Sequence, residues 1–169
     1  MRSGYGRPTL SENAELTRVG PGTPAGELFR RYWQPVDLSP APGEGPRPLR
    51  VLGEDLVLFR DGHGRPGLLD AHCCHRGTSL EYGRVEADGI RCCYHGWLFD
   101  VEGRCLEQPC EPAESTYKDR VFQPGYPCRE YGGLVFAYLG PPERTPLLPQ
   151  YDLVEEGEGV VIADGTSYG

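Results

Sequence analysis

The sequence predicts an all-β, antiparallel fold with one short helix near the N-terminus. Three observations predict it. First, 24 glycines and 17 prolines make 41 of the 169 residues, a density that breaks long helices and suits short strands joined by tight turns. Second, the apolar runs are short and bounded by Gly-rich or acidic bends. Third, helical spacing of apolar residues is confined to one stretch, at about 24–33. Hydrophobic residues at 38% and charged residues at 25% allow a real core and exclude wholesale disorder.

Charge and hydropathy exclude further classes. The net charge of −8 speaks against nucleic acid as a partner. Residues 145–169 carry Asp152, Glu155, Glu156, Glu158 and Asp164 with no Lys or Arg, so −5 of that charge lies there and −3 elsewhere. No run approaches membrane-span length, and residues 1–10 lack an apolar signal segment. The expectation is a cytoplasmic protein without a membrane partner. Seven cysteines, an odd number, fit a metal site with spare thiols better than a disulfide framework.

Along the chain, residues 1–22 are polar and Gly-rich and read as an arm. Thr23 before Pro24 is an N-cap signature with proline at the first helical position. Leu28 with Tyr32, and Phe29 with Trp33, then fall four apart until Pro35, predicting a helix over about 24–33 with Tyr32 and Trp33 packed on it. Strands follow at 49–51 and 56–59 around a turn at Gly53-Glu54, and at 68–69 after the bend 61–64. Further strands are expected at 89–91, 97–99, 104–106 and 134–139, with 100–103 as a hairpin turn. Residues 107–123, with Pro109 and Pro112, read as a long surface connection. The domain is expected to span 23–150, and 151–169 to be an acidic tail or linker.

The chemistry is concentrated in two segments. Asp70-Ala71-His72-Cys73-Cys74-His75-Arg76-Gly77 and Arg91-Cys92-Cys93-Tyr94-His95-Gly96-Trp97 hold three of the four histidines and four of the seven cysteines. They contain Cys73-x-His75 and Cys92-x-x-His95, with 16 residues between His75 and Cys92. Each lies between strand candidates and ends on glycine. At the tips of neighbouring hairpins, two such loops would each present a thiolate and an imidazole to one metal centre. A structural zinc also takes two Cys and two His, but its cysteine hairpins usually carry two to four intervening residues, not one.

Cys-x-His, a gap of this length, then Cys-x-x-His resembles the Rieske 2Fe–2S proteins. The resemblance implies a Rieske fold of small stacked sheets, with a cluster-binding subdomain at about 70–100. Cys73 and Cys92 would hold an inner iron, and His75 and His95 the outer one. Two ferric ions, two sulfides and two thiolates sum to zero charge, so this cluster accepts an electron more readily than an all-cysteine one. Arg76, Gly77, Tyr94, Gly96 and Trp97 flank the ligands; Tyr94 and Trp97 are placed to shield the cluster. Rieske proteins of cytochrome bc complexes bridge their loops by a disulfide. Here those positions are Thr78 and Tyr94, and Trp97 and Phe99 stand where hydroxyl donors raise the potential. A low potential is therefore expected.

The match extends beyond the loops. Residues 26–36, 52–57 and 111–115, with Tyr126-Pro127 and 132–135, resemble the α subunits of Rieske non-haem iron oxygenases that hydroxylate aromatic rings, in their phthalate dioxygenase-like branch. Such enzymes place a mononuclear Fe(II), bound by two histidines and a carboxylate, in a following catalytic domain. No histidine follows residue 95, and only His63 and His72 are left uncommitted, so no catalytic residue is assigned and that iron is expected only outside these residues. The resulting expectation is one-electron transfer by the electron-transfer domain of such an oxygenase. A reductase or ferredoxin would be the donor and the catalytic domain the acceptor. The alternative is a stand-alone Rieske ferredoxin. Of the remaining thiols, Cys74, Cys93, Cys105, Cys110 and Cys128 read as ordinary side chains.

Overall fold

The computed structural model describes residues 13–39 and 45–155. In chain order it contains helices α1 (Ala14–Thr17) and α2 (Pro24–Phe29), then strands β1 (Trp33–Leu38), β2 (Arg47–Val51), β3 (Glu54–Arg60) and β4 (Pro66–Asp70). A 3₁₀ turn at Leu80–Tyr82 precedes β5 (Arg84–Glu86), β6 (Gly89–Arg91), β7 (Leu98–Phe99) and β8 (Cys105–Glu107). A second, at Tyr117–Arg120, precedes β9 (Gly125–Tyr126), β10 (Cys128–Tyr131) and β11 (Leu134–Tyr138); α3 (Asp152–Glu155) closes the described chain. The strands form three antiparallel sheets, ordered β1-β11-β10, β2-β3-β4-β9 and β5-β6-β7-β8.

The inner strands β3 and β4 of the middle sheet are buried on both faces, and this explains why β3 is apolar without alternation. Successive side chains of a strand point to opposite faces. Leu56 and Leu58 accordingly join Leu68, Val135, Ala137 and Leu139 in one core. Val57 and Phe59 join Leu69, Leu80, Ile90, Trp97 and Phe99 in the other. Cys73 and Cys92 belong to this second core. The four-stranded sheet thus separates a structural layer from the layer carrying the two loops.

Several expectations need correction. The helix ends at Phe29, not at residue 33. Its buried residues are Ala25 and Gly26, while Leu28 and Phe29 are exposed. A side chain at Gly26 would meet the Gly20 carbonyl oxygen at 2.3 Å, so close backbone packing, not an apolar stripe, seats α2. Trp33 opens β1 opposite Tyr138, and its indole N–H donates to the Pro146 carbonyl at 2.9 Å; it does not pack on a helix. The residue before a proline favours extended backbone, and β1 runs through Pro35 with a register shift between Pro35 and Asp37. The connection 107–123 is largely exposed, yet Gln108 and Gln123 near its ends are buried. The Thr23 cap, Pro24 at the first turn and the 100–103 turn form as expected. Residues 1–12 of the expected arm and 156–169 of the expected tail lie outside the described residues.

Candidate metal centre

The two motif loops are built alike although they leave different sheets. The first follows β4 and is closed at its base by a bridge between His72 and Ser79; the second joins β6 to β7. In each, the leading cysteine N–H donates to the carbonyl five residues on, Cys73 to Thr78 and Cys92 to Trp97, both at 2.9 Å. In each, the glycine four residues on returns a hydrogen bond to the cysteine carbonyl, Gly77 to Cys73 at 2.8 Å and Gly96 to Cys92 at 3.1 Å. Gly77 and Gly96 have φ of 71° and 72°, a left-handed conformation that admits glycine readily and other residues at a cost. The glycine after each motif is therefore part of the loop's geometry.

The predicted donors come together in two layers. Cys73 and Cys92 are both 3% exposed and lie within hydrogen-bonding reach of each other. Hydrogen bonding to Cys74 and burial push the Cys73 thiol up, and burial pushes Cys92 up; a cation is what would hold such buried groups as thiolates. His75 and His95 are half-buried, their rings meeting edge-on with centroids 4.5 Å apart. Burial, then His95 and Arg76, push the His75 imidazole down, which favours the neutral, metal-binding form.

The flanking residues enclose this arrangement. Trp97 is buried and lies flat on His75, centroids 4.3 Å apart and planes 2° apart. Tyr94 covers His95 at 3.8 Å while remaining exposed itself. Arg76 is exposed. His72 and His63 are exposed and stand outside the cluster, beside Asp70 and Asp88. Cys74, Cys93 and Cys110 are free and exposed, Cys105 is free and buried, and Cys128 is free and half-buried.

Two holding residues were not legible in the sequence. Gln123 is fully buried. Its amide oxygen accepts from the Cys74 N–H at 2.7 Å, and its amide nitrogen donates to the Asp70 and His72 carbonyls at 3.0 and 2.9 Å. Arg91 donates to the Gly96 carbonyl at 2.6 Å while bridging Glu86 and Glu107. Each loop thus has its own clamp. Neither carries a motif: Gln123 ends a loop that reads as solvent-exposed, and Arg91 reads as a strand charge.

The residues fit a two-iron cluster. Nδ1 of His75 is buried and has no hydrogen-bond partner, the state of an atom reserved for a metal. Among the described residues no three His, Cys, Asp or Glu side chains gather about a single ion position. Donors in two pairs suit two metals, whereas a structural zinc gathers four donors about one.

Comparison with known proteins agrees. Residues 33–127 match the Rieske [2Fe-2S] domain. Phenoxybenzoate dioxygenase subunit alpha from Ectopseudomonas oleovorans is 58% identical over 154 residues, covering 89% of this chain and 38% of that protein. The oxygenase subunit of tert-butanol monooxygenase / tert-amyl alcohol desaturase from Aquincola tertiaricarbonis is 53% identical over 154 residues, covering 91% of this chain and 32% of that protein. The chain thus spans about a third of the length of these relatives. In fold it is similar to apo dicamba monooxygenase, with a TM-score of 0.66 and 24% identity over 76% of this chain and 40% of that one.

Proposed function

We propose, from the premise that the chain belongs to the Rieske [2Fe-2S] domain family, that it is the electron-transfer part of an oxygenase α subunit that hydroxylates aromatic rings. The cofactor of the family is a 2Fe–2S cluster, which supplies one-electron redox chemistry when bound. Cys73 and Cys92 would hold the inner iron, and His75 and His95 the outer one. The observation that carries this reading is the layering of two buried thiols beneath two touching, half-buried imidazoles. It gives the centre one insulated side and one side from which an electron can leave.

The chain's own residues serve that transfer. Trp97 and Tyr94 exclude water from the imidazoles, and Gln123 and Arg91 keep the loops from shifting when charge changes. An electron would arrive from a reductase or ferredoxin and leave through the His75/His95 edge towards a mononuclear iron in a catalytic domain. Among the described residues no helix is long and apolar enough to cross a membrane. On this reading the domain spans 23–150, and 151–169 form an acidic tail or linker. Similarity to a phenoxybenzoate dioxygenase favours an aromatic acid as substrate. Similarity to a tertiary-alcohol monooxygenase supports a second reading, with a non-aromatic substrate.

Metal and sulfide analysis with EPR tests the centre. Two irons, two acid-labile sulfides and a Rieske-type signal are expected; a colourless protein with stoichiometric zinc would overturn it. Reading the gene past the Gly169 codon tests the oxygenase. An open frame with two histidines and a carboxylate in metal-binding spacing supports it, and a stop codon there favours a free ferredoxin.

A further inference from the structure

A domain that delivers electrons through its histidine edge has that edge covered whenever its acceptor is engaged. A donor then needs another way in. The rings beside His75 continue through Trp97 to Tyr117. Trp97, flat on His75, meets Tyr117 edge-on with centroids 6.2 Å apart and planes at 79°. Tyr117 is 44% exposed, and the Arg120 guanidinium lies over its ring at 5.8 Å. A continuous series of aromatic contacts therefore joins His75 to the surface through the 3₁₀ turn Tyr117–Arg120.

The end of that series has the character of a docking patch. Phe122, two residues beyond Arg120, is 55% exposed. The ion pairs among the described residues do not include Arg120. The Lys118 ammonium of the same turn donates to the Leu106 carbonyl at 2.9 Å, which leaves the Arg120 guanidinium as the cation displayed beside the Tyr117 ring, on a chain of net charge −8. Exposed aromatic rings beside an arginine are the composition of interface anchors, and the Arg120 charge favours an acidic partner at this spot.

We propose that Tyr117 and Arg120 form the seat of the electron donor, an acidic one-electron carrier protein, and that Tyr117–Trp97–His75 is its contact path inward. This rests on the Rieske reading above. In the step one electron leaves the reduced carrier, which is oxidised by one unit, and arrives at the oxidised centre. No bond forms or breaks, no proton moves, and the rings are neither oxidised nor reduced.

The test uses the full 169-residue chain with a plant-type 2Fe–2S ferredoxin as the acidic carrier. Stopped-flow absorbance follows reduction by the reduced ferredoxin, and calorimetry follows binding of the oxidised one. Tyr117→Leu is expected to slow reduction by ferredoxin about tenfold, the loss typical of an aromatic anchor. Its midpoint potential, EPR signal and reduction by dithionite should stay unchanged. Tyr117→Phe keeps the ring and should keep the rate. Arg120→Glu should weaken ferredoxin binding and abolish the fall of rate with salt. An undiminished ferredoxin rate in Tyr117→Leu, or equal slowing with ferredoxin and dithionite, overturns the proposal. Absence of a Rieske signal in the unmodified chain overturns the underlying reading instead.

Discussion

At the scale of single residues, the centre depends on side chains that never touch metal. Gln123 satisfies three backbone groups at the base of the first loop. Replacing it by Leu removes all three bonds, and at about 1 kcal/mol net for each the chain should lose roughly 3 kcal/mol. Urea unfolding measures the loss, and iron released during the early part of the transition would place it at the first loop. Trp97 matters differently. With an indole here and Phe99 nearby in place of hydroxyl donors, the midpoint should lie near the bottom of the Rieske range, about −150 mV. Trp97→Ser is expected to raise it by tens of millivolts, because a new hydrogen bond favours the more negative reduced state. Voltammetry reads this directly, and a midpoint above about +200 mV in the unmodified chain would show that another feature sets the potential. The four donors and both loop glycines were legible because ligand spacing and turn chemistry are local. Gln123 was not: it lies 49 residues from Cys74, and no local pattern announces a contact of that span.

Elements show where the chain tolerates change. In the β7–β8 turn, Gly103 has φ of 88°, and a Cβ there would meet the Gln123 carbonyl oxygen at 2.0 Å. Gly64, in the β3–β4 turn, has φ of 80° with nothing nearby. Gly64→Ala should therefore destabilise by about 1–2 kcal/mol from backbone strain alone, and Gly103→Ala by clearly more; paired thermal melts separate the two contributions. In the β5–β6 hairpin, Arg91 and then Arg84 hold the Glu86 carboxyl down to about 2 from an ordinary 4.5. A lowered carboxyl favours the fold above the unfolded-state value and ceases to do so as pH falls through the folded one. Glu86→Gln should thus be less stable than the parent at pH 7, by about 1 kcal/mol after solvent screening. The gap should close between about pH 5 and pH 2, which urea midpoints across that range can follow. Strands with apolar runs, β2, β3, β4 and β11, were legible in the sequence. β1, β5, β9 and β10 were not, since they contain a proline, or are charged, or are only two residues long, and they exist because a legible strand lies beside them.

The whole molecule is organised around a division of labour between its layers. One core joins the middle sheet to β11, and the other joins it to the metal-binding loops. All four histidines lie within residues 63–95, and the two outside the centre, His63 and His72, are exposed and sit beside different acids, Asp88 and Asp70. Given reductase, NADH, oxygen and added ferrous iron, this chain is expected to take up electrons without hydroxylating an aromatic substrate; product formation, assayed by chromatography, would refute that. The pairings of the two outer layers also differ in reach. The sheet β5-β6-β7-β8 is assembled from hairpins within residues 84–107, whereas Trp33 finds its partner at Tyr138. Local pairings form early and distant ones late. During synthesis the second metal-binding loop can therefore be shaped while the strand that closes the molecule is still being made, and a nascent chain has a window in which an iron–sulfur donor meets an open site.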